Sequence, residues 1–453
     1  MARVARPLAR TAACLALGLA GCVPSGVTGP AAPPEREPPP PIVTSRPPVA
    51  PTTPAEPAQQ AAARSLPPVR SFEEVRGLWV VRWSMTNEQQ VREMVAAAAD
   101  AGFNTLVVQV RGRGDAYYRS AIEPRAEGVQ GPVEFDPLAL TIEEGHRRGL
   151  AVHAWVNTHL VWGPAAPPLS PSHLVNAHPE WLAVPRQLAR ELRGVDPRSP
   201  RFVTALRQYA ADRPQTVEGI YTSPSHPEVR ARVREVWLDL VDRYDLDGIH
   251  FDYIRYPSAD FDYSEGALER FREWIGPQLP PSRIAELDRM AASDPLVWTT
   301  ALAAEWDEFR RSQITSLVAE LYREVKARRP ELVVSAAVVP DRTTAHTLRF
   351  QEWDEWLEDG ILDVAVPMAY TASTDTFRGQ MRAARVAAGR RDRVWAGIGA
   401  YMNSAAGTLD KIDIARAEDS GGVILFSYDW IVGEGQGSGD GLLTQLGRER
   451  FGS

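Results

Sequence analysis

The chain has 453 residues, with 50 basic and 58 acidic side chains and a formal net charge of −8. That acidic balance, with no basic stripe, lacks the electrostatic footprint of a nucleic-acid binder. Hydrophobic residues at 44% and charged residues at 24% are ordinary globular usage, and a chain this long buries a substantial core without disulfides. Only two cysteines occur, Cys14 and Cys22. Their number and position exclude a disulfide framework or a Cys-rich zinc site in the body of the protein.

The first residues carry a basic start (Arg3, Arg6, Arg10) and then an apolar run over 11–20. This is the pattern of a secretory signal, and it is too short for a spanning helix of ~20 apolar residues. The run ends in Leu19-Ala20-Gly21-Cys22, which resembles a bacterial lipobox. The resemblance implies removal of residues 1–21 and lipidation of Cys22, tethering the mature chain to a membrane; the alternative is an ordinary cleaved signal with a leftover cysteine. Val23 stands where an inner-membrane retention signal often places Asp, which favours the outer membrane facing the periplasm. Residues 22–70 are dominated by Pro, Ala, Ser and Thr, including four consecutive prolines at 38–41. Without apolar periodicity this stretch is expected to be a disordered, extended spacer of polyproline character.

From Val75 the pattern changes. Short apolar or β-branched runs at 77–82, 105–111, 151–157, 248–254, 332–338, 363–370, 394–400 and 422–427 read as eight strands. Helix-like segments at 88–101, 137–148, 227–244, 302–329, 351–359 and 409–418 alternate with them. Runs with few polar interruptions suit parallel strands covered on both faces. Eight such strands alternating with helices predict an α/β fold, a single (β/α)8 TIM barrel spanning 71–453; a doubly wound sheet is the rival. About ninety residues separate the third and fourth strands and nearly eighty the fourth and fifth, against ~30 for a plain βα unit. Long insertions after strands 3 and 4 are therefore expected over the C-terminal mouth of the barrel, where barrel active sites lie.

The sharpest constellation is Asp247-Gly248-Ile249-His250-Phe251-Asp252-Tyr253-Ile254-Arg255-Tyr256-Pro257, on the fourth strand. Alternation puts His250, Asp252 and Ile254 on one face and Ile249, Phe251 and Tyr253 on the other. The apolar set would face the helices, which turns His250 and Asp252 into the barrel. A carboxylate there needs a partner or a job. One reading is a structural ion pair with Arg82, Arg111 or Arg255; Arg255 could also orient Asp252. The other reading is catalysis.

Together with 75–80, the 102–105 entry to Gln109-Val110-Arg111, Trp353-Asp354, Val366-Pro367-Met368-Ala369-Tyr370-Thr371 and Phe426-Ser427-Tyr428-Asp429, this string resembles the bacterial glycosyl-hydrolase-like family 10 lipoproteins. The matching motifs extend from Val75 to Trp430. The resemblance implies a TIM-barrel glycoside hydrolase acting on bacterial wall glycan, with strands stripped of their stem peptides as the expected substrate. The strand is similar, more distantly, to chitinase-like barrels with an Asp-x-x-Asp-x-Asp-x-Glu signature. Asp247 and Asp252 match that signature, but His250 replaces its middle Asp and Ile254 its proton-donating Glu. A donor from another strand is then required.

Glycosidases use two carboxyl groups, roughly 5–5.5 Å apart for retention or 6.5–9.5 Å for inversion. Asp252 is the first; Asp115, Asp341 and Asp429, each after a strand, are candidates for the second. Asp341 follows Pro340 and could equally cap the next helix. Asp429 sits between Tyr428 and Trp430, where desolvation would raise its pKa. Aromatic residues near strand ends (Trp83, Tyr117, Trp155, Tyr253, Tyr256, Tyr370, Tyr401 and Trp430) suit a groove for sugar rings, and Tyr370 is favoured for a hydrogen bond near the reacting sugar. Arg82, Gln109, Arg111, Asn157, His250 and Arg255 complete the expected polar lining. No HExxH or Gly-rich phosphate loop occurs, so neither a metal nor an organic cofactor is expected. The expected partners are a polysaccharide substrate and, through Cys22, a membrane. The alternative function is a non-catalytic barrel that holds glycan for a wall-remodelling complex.

Overall fold

A computed structural model describes residues 70–433 and 441–452. The signal, Cys22 and the Pro-rich spacer lie outside the described residues. Eight parallel strands form one sheet: β1 Val75–Val80, β2 Thr105–Arg111, β3 Ala151–Asn157, β4 Gly248–Asp252, β5 Val333–Val338, β6 Val364–Pro367, β7 Trp395–Gly399 and β8 Gly422–Phe426. Their spatial order is β6-β5-β4-β3-β2-β1-β8-β7. Bridges Ala365–Val394 and Met368–Gly397 draw β6 to β7 across the remaining seam, so the sheet is a nearly closed barrel and not a doubly wound layer. Close approach there depends on Gly397, whose missing Cβ would stand 2.5 Å from the Pro367 carbonyl oxygen.

Every residue of β2 and β3 is buried, as runs covered on both faces require. The outer faces join the helices in one large cluster that includes Leu106, Val152, Ile249, Phe251 and Val334. The barrel interior holds a second set, with Val75, Trp79, Val107, Trp155, Val366, Trp395 and Ile424. Helix starts carry the caps that satisfy their first N–H groups: Asn87 before Glu88–Asp100, Asp136 before Pro137–Arg147 and Ser264 before Glu265–Ile275.

Both expected insertions are present. The first contains an antiparallel ribbon, Leu160–Trp162 against Ile220–Tyr221, and the helix Pro200–Ala211. The second holds three helices, Glu265–Ile275, Pro281–Ala291 and Val297–Ala301, whose core around Phe271, Leu287 and Trp298 is shared with Trp306 of the following helix Ala303–Arg328. Because each leaves the C-terminal end of its strand, both rise on the mouth side.

Two strand ends differ from the alternation reading. β1 stops at Val80, so Arg82 and Trp83 sit in a 3-10 turn, Arg82–Met85, at the mouth. β4 stops at Asp252, and Tyr253 is left-handed with φ 50°. That reversal breaks the period of two. Ile254 is fully buried in the outer cluster instead of pointing into the barrel, while Tyr253 meets Tyr221 (ring centroids 6.0 Å) and the Arg255 guanidinium (4.4 Å).

Candidate active site

The inward positions of β4 run Gly248, His250, Asp252 from the floor to the mouth. Gly248 leaves room for His153, whose Nδ1 lies 2.3 Å from where a Cβ would stand. His250 is fully buried in the middle layer, and burial pulls its pKa down to about 3. The indole Nε1 of Trp79 can only donate, and it faces His250 Nε2 at 3.4 Å. Nδ1 therefore carries the proton and donates to Ser335 Oγ at 2.8 Å. His250 is thus bound on both nitrogens inside the barrel, which corrects its expected place in the substrate-facing lining.

Asp252 ends the strand, 7% exposed. Its Oδ2 accepts from Trp155 Nε1 at 3.0 Å and its Oδ1 from the Tyr253 backbone N–H at 2.7 Å. Burial raises its pKa to about 6; Arg255 and the two hydrogen bonds oppose that rise, and the charge of Glu218 adds to it. The cross-strand register pairs Asn157 with Asp252, and hydrogen bonds continue around the mouth from there. Trp155 Nε1 also donates to Asn157 Oδ1 (2.8 Å), Gln109 Nε2 faces the same oxygen (3.4 Å), and Arg82 Nη1 donates to Gln109 Oε1 (2.8 Å). Asn157 Nδ2 anchors the chain on the Gly112 carbonyl at 2.8 Å. Arg82, Gln109, Asn157 and Asp252, read separately from four strands, form one network.

The opposite side of the mouth is aromatic. Tyr370 lies against Phe426 (5.5 Å), Tyr401 (5.9 Å) and Trp79 (6.3 Å), and Tyr401 meets Trp430 (6.1 Å). Burial and then the Asp252 charge hold the Tyr370 phenol well above its usual pKa, so it is a neutral donor close to Asp252.

Several expected lining residues are elsewhere. A bulge between Gln109 and Arg111 turns Arg111 out of the inward series. It bonds Glu123 (Nε 3.1 Å, Nη2 3.0 Å) and the carbonyls of Asn157 and Thr158, bracing the β2 and β3 ends. Tyr256 is buried against Phe350, its N–H on the Arg349 carbonyl. Arg255 reaches Glu218 (3.4 Å) and stacks on Tyr253.

The three candidates for the second carboxyl are also placed. Asp341 is exposed and caps the helix Arg342–Leu348 through Thr344 N at 2.8 Å; hydrogen bonds to Thr344 hold it below its ordinary pKa. Asp429 is held by Ser84 Oγ (2.6 Å) and Val81 N (2.8 Å), with burial raising its pKa. Asp115 is buried in the loop after β2 and accepts from Arg113 N at 2.8 Å. The carboxylate whose charge reaches Asp252 is a fourth one, Glu218, at the end of the first insertion. It is buried and accepts from Tyr221 Oη at 2.6 Å. Sequence reasoning missed it; the faint signal is Glu218-Gly219-Ile220-Tyr221, a carboxylate entering a short apolar pair within the insertion. Among the described residues, His346, Glu352 and Glu355 are close enough to hold a metal ion. Glu352 is already engaged by Arg311 (3.1 Å) and Thr315 (2.7 Å), and none of the three belongs to the Asp252 network.

The profile of the family described as glycosyl hydrolase-like 10 matches residues 74–402, the whole stretch from β1 through β7. The chain belongs to that family. Among the curated relatives of this glycosyl hydrolase-like 10 chain, glycosyl hydrolase YngK of Bacillus subtilis is 23% identical over 334 residues, covering 66% of this chain and 55% of YngK. Glycosyl hydrolase DigH of Escherichia coli K12 is 25% identical over 363 residues, covering 70% and 71% of the two chains. The chain thus spans little more than half the length of YngK. Among solved structures, the PgaB (BpsB) glycoside hydrolase domain of Bordetella bronchiseptica superposes with a TM-score of 0.55 at 17% identity, over 80% of this chain and 96% of that one. The catalytic domain of β-amylase from Paenibacillus polymyxa gives 0.56 at 12% identity, over 84% and 98%. At those identities the likeness concerns the fold, a barrel shared with glycoside hydrolases.

Proposed function

We propose that the protein is a glycoside hydrolase that cleaves an N-acetylated glycan of the bacterial cell wall, peptidoglycan strands free of peptide. The observation that carries the hydrolase reading is Asp252: a buried carboxyl at the barrel mouth, its pKa raised to about 6, wired through Trp155 and Asn157 to Gln109 and Arg82 and faced by Tyr370. A carboxyl whose pKa is raised toward neutrality keeps a protonated fraction there and is suited to give its proton to a leaving glycosidic oxygen. In this mechanism Asp252 is the donor, and Glu218, held by Tyr221 and Arg255, is the second carboxyl. The donor role for Asp252, and Glu218 in place of Asp115, Asp341 or Asp429, follow from the electrostatic neighbourhood of Asp252. The aromatic wall of Tyr370, Tyr401 and Trp430 offers flat surfaces to sugar rings. Tyr370, a neutral donor close to Asp252, is positioned to meet a hydroxyl or acetamido group.

The cell-wall assignment rests on the sequence motifs. In this account Cys22 carries a lipid that anchors the chain to the outer membrane, and the Pro-rich spacer lets the barrel reach wall glycan from the periplasmic face. Incubating the purified full chain with peptide-free strands, and separately with intact sacculi, tests the proposal by mass spectrometry of products. Shortened glycans from the former support it. Retained binding without cleavage moves the assignment to a glycan-holding barrel.

A further inference from the structure

Arg82 and Arg113 lie on the β1–β2 side of the mouth, close enough for the charge of Arg82 to act on Arg113. Neither makes an ion pair among the described residues, although each has a carboxylate nearby. Asp429, whose carboxyl feels the Arg82 charge, is held by Ser84 and Val81, and Asp115 accepts from the Arg113 backbone. Arg113 is fixed by its main chain, since its N–H bonds Asp115 (2.8 Å) and its carbonyl faces His173 Nε2 (2.7 Å). The guanidinium lies under Gly163, whose missing Cβ would stand 3.0 Å from Nη1, and Nη1 has no hydrogen-bond partner. Burial and then the charge of Arg82 press the Arg113 guanidinium below its usual pKa, with Tyr253, Asp115 and Tyr221 opposing. Asp115 and Asp429 act on these charges only from a distance, the buried Arg113 Nη1 is left without an acceptor, and guanidinium groups pair best with a carboxylate. Beside them Trp83 is 59% exposed with Arg82 stacked on its ring at 5.0 Å. An indole so exposed is a platform for a sugar face.

We propose that Arg82, Arg113 and Trp83 form a subsite that selects a sugar bearing a free carboxylate, Trp83 stacking on the ring and the guanidinium pair reading the acid. The inference rests on the glycan-hydrolase reading of the same mouth and deepens it. In a peptide-free wall strand the group read is the free acid of the lactyl ether, which an attached peptide converts to a neutral amide. Arg82 also bonds Gln109, which links this subsite to the network that ends on Asp252.

The test uses the full chain and two forms of one substrate, peptide-free strands with free carboxylates and the same strands methyl-esterified. KM for the free acid is expected about tenfold below that for the ester. Arg113→Gln should raise KM for the acid about tenfold and leave the ester unchanged; its loop should fold, since backbone atoms of Arg113 hold it. Trp83→Ala should raise KM for both forms alike, because stacking does not read charge. Equal handling of acid and ester by the wild type, or an equal effect of Arg113→Gln on both, overturns the inference and leaves the hydrolase standing. Should the wild type cleave neither form, the hydrolase reading fails. Equilibrium binding of the two forms then decides: a preference for the acid that Arg113→Gln abolishes upholds the subsite, and no preference rejects it.

Discussion

Replacing Asp252 by Asn isolates the energy stored in a buried carboxyl. In the folded protein burial raises its pKa from the ordinary 3.8 to about 6. Folding therefore favours the protonated form, and wild-type stability falls as pH rises from about 4 to about 6, then levels off. At pH 7.5 the ionised group costs about 3 kcal/mol relative to an unperturbed one, and at pH 4.5 about 1 kcal/mol. Asn removes that cost at both pH values but turns an amide NH2 toward one donor. The tolerable orientation faces Trp155 Nε1, which keeps Asn157 Oδ1 at 2.8 Å as its other acceptor, so the loss is about 1 kcal/mol. Asp252→Asn is then expected to be about 2 kcal/mol more stable than wild type at pH 7.5 and nearly equal to it at pH 4.5. Urea denaturation of both proteins at the two pH values measures the difference. A stability difference that does not change with pH would show that Asp252 titrates normally, and the proton-donor argument would lose its physical basis.

Four other substitutions separate chemistry from architecture. Glu218→Gln should lower kcat at least about 100-fold, a size typical of losing a catalytic carboxyl. It should also shift the alkaline fall of kcat/KM to lower pH, because a negative neighbour that raises the Asp252 pKa is gone; an unchanged pH profile would remove Glu218 from the site. Tyr370→Phe should reduce kcat/KM by about 10-fold, the value of one hydrogen bond, with the melting temperature unchanged. Asp341→Ala should cost about 1 kcal/mol of stability for a lost helix cap and leave kcat as it was; a large activity loss would return Asp341 to the catalytic set. Arg111→Leu strips the partner from Glu123, whose side chain is fully buried, and should destabilise the fold by about 3–5 kcal/mol in denaturant titration.

The barrel was legible because parallel strands covered on both faces leave uninterrupted apolar runs, and all eight fall where those runs lie, within a few residues. Asp252 was legible because an acid two residues from a histidine, on a run of that kind, has to face inward. The errors share a cause in local backbone geometry that side-chain alternation cannot register. Extending the period of two past Asp252 put Ile254 in the barrel, whereas the left-handed Tyr253 turns it into the outer core. The bulge before Arg111 took a residue that looked like a ligand and made it a brace. Glu218 was out of reach for another reason. It belongs to a long insertion, and its arrival beside Arg255 depends on the ribbon Leu160–Trp162 closing against Ile220–Tyr221, a non-local contact with no periodic signature.

The most direct test of the central claim is a product analysis of peptide-free glycan strands after incubation with the wild-type full chain and with Asp252→Asn. The account predicts shortened glycans from the wild type and intact strands from the variant, with both proteins folded at the assay pH. Cleavage by the variant at the wild-type rate would contradict it.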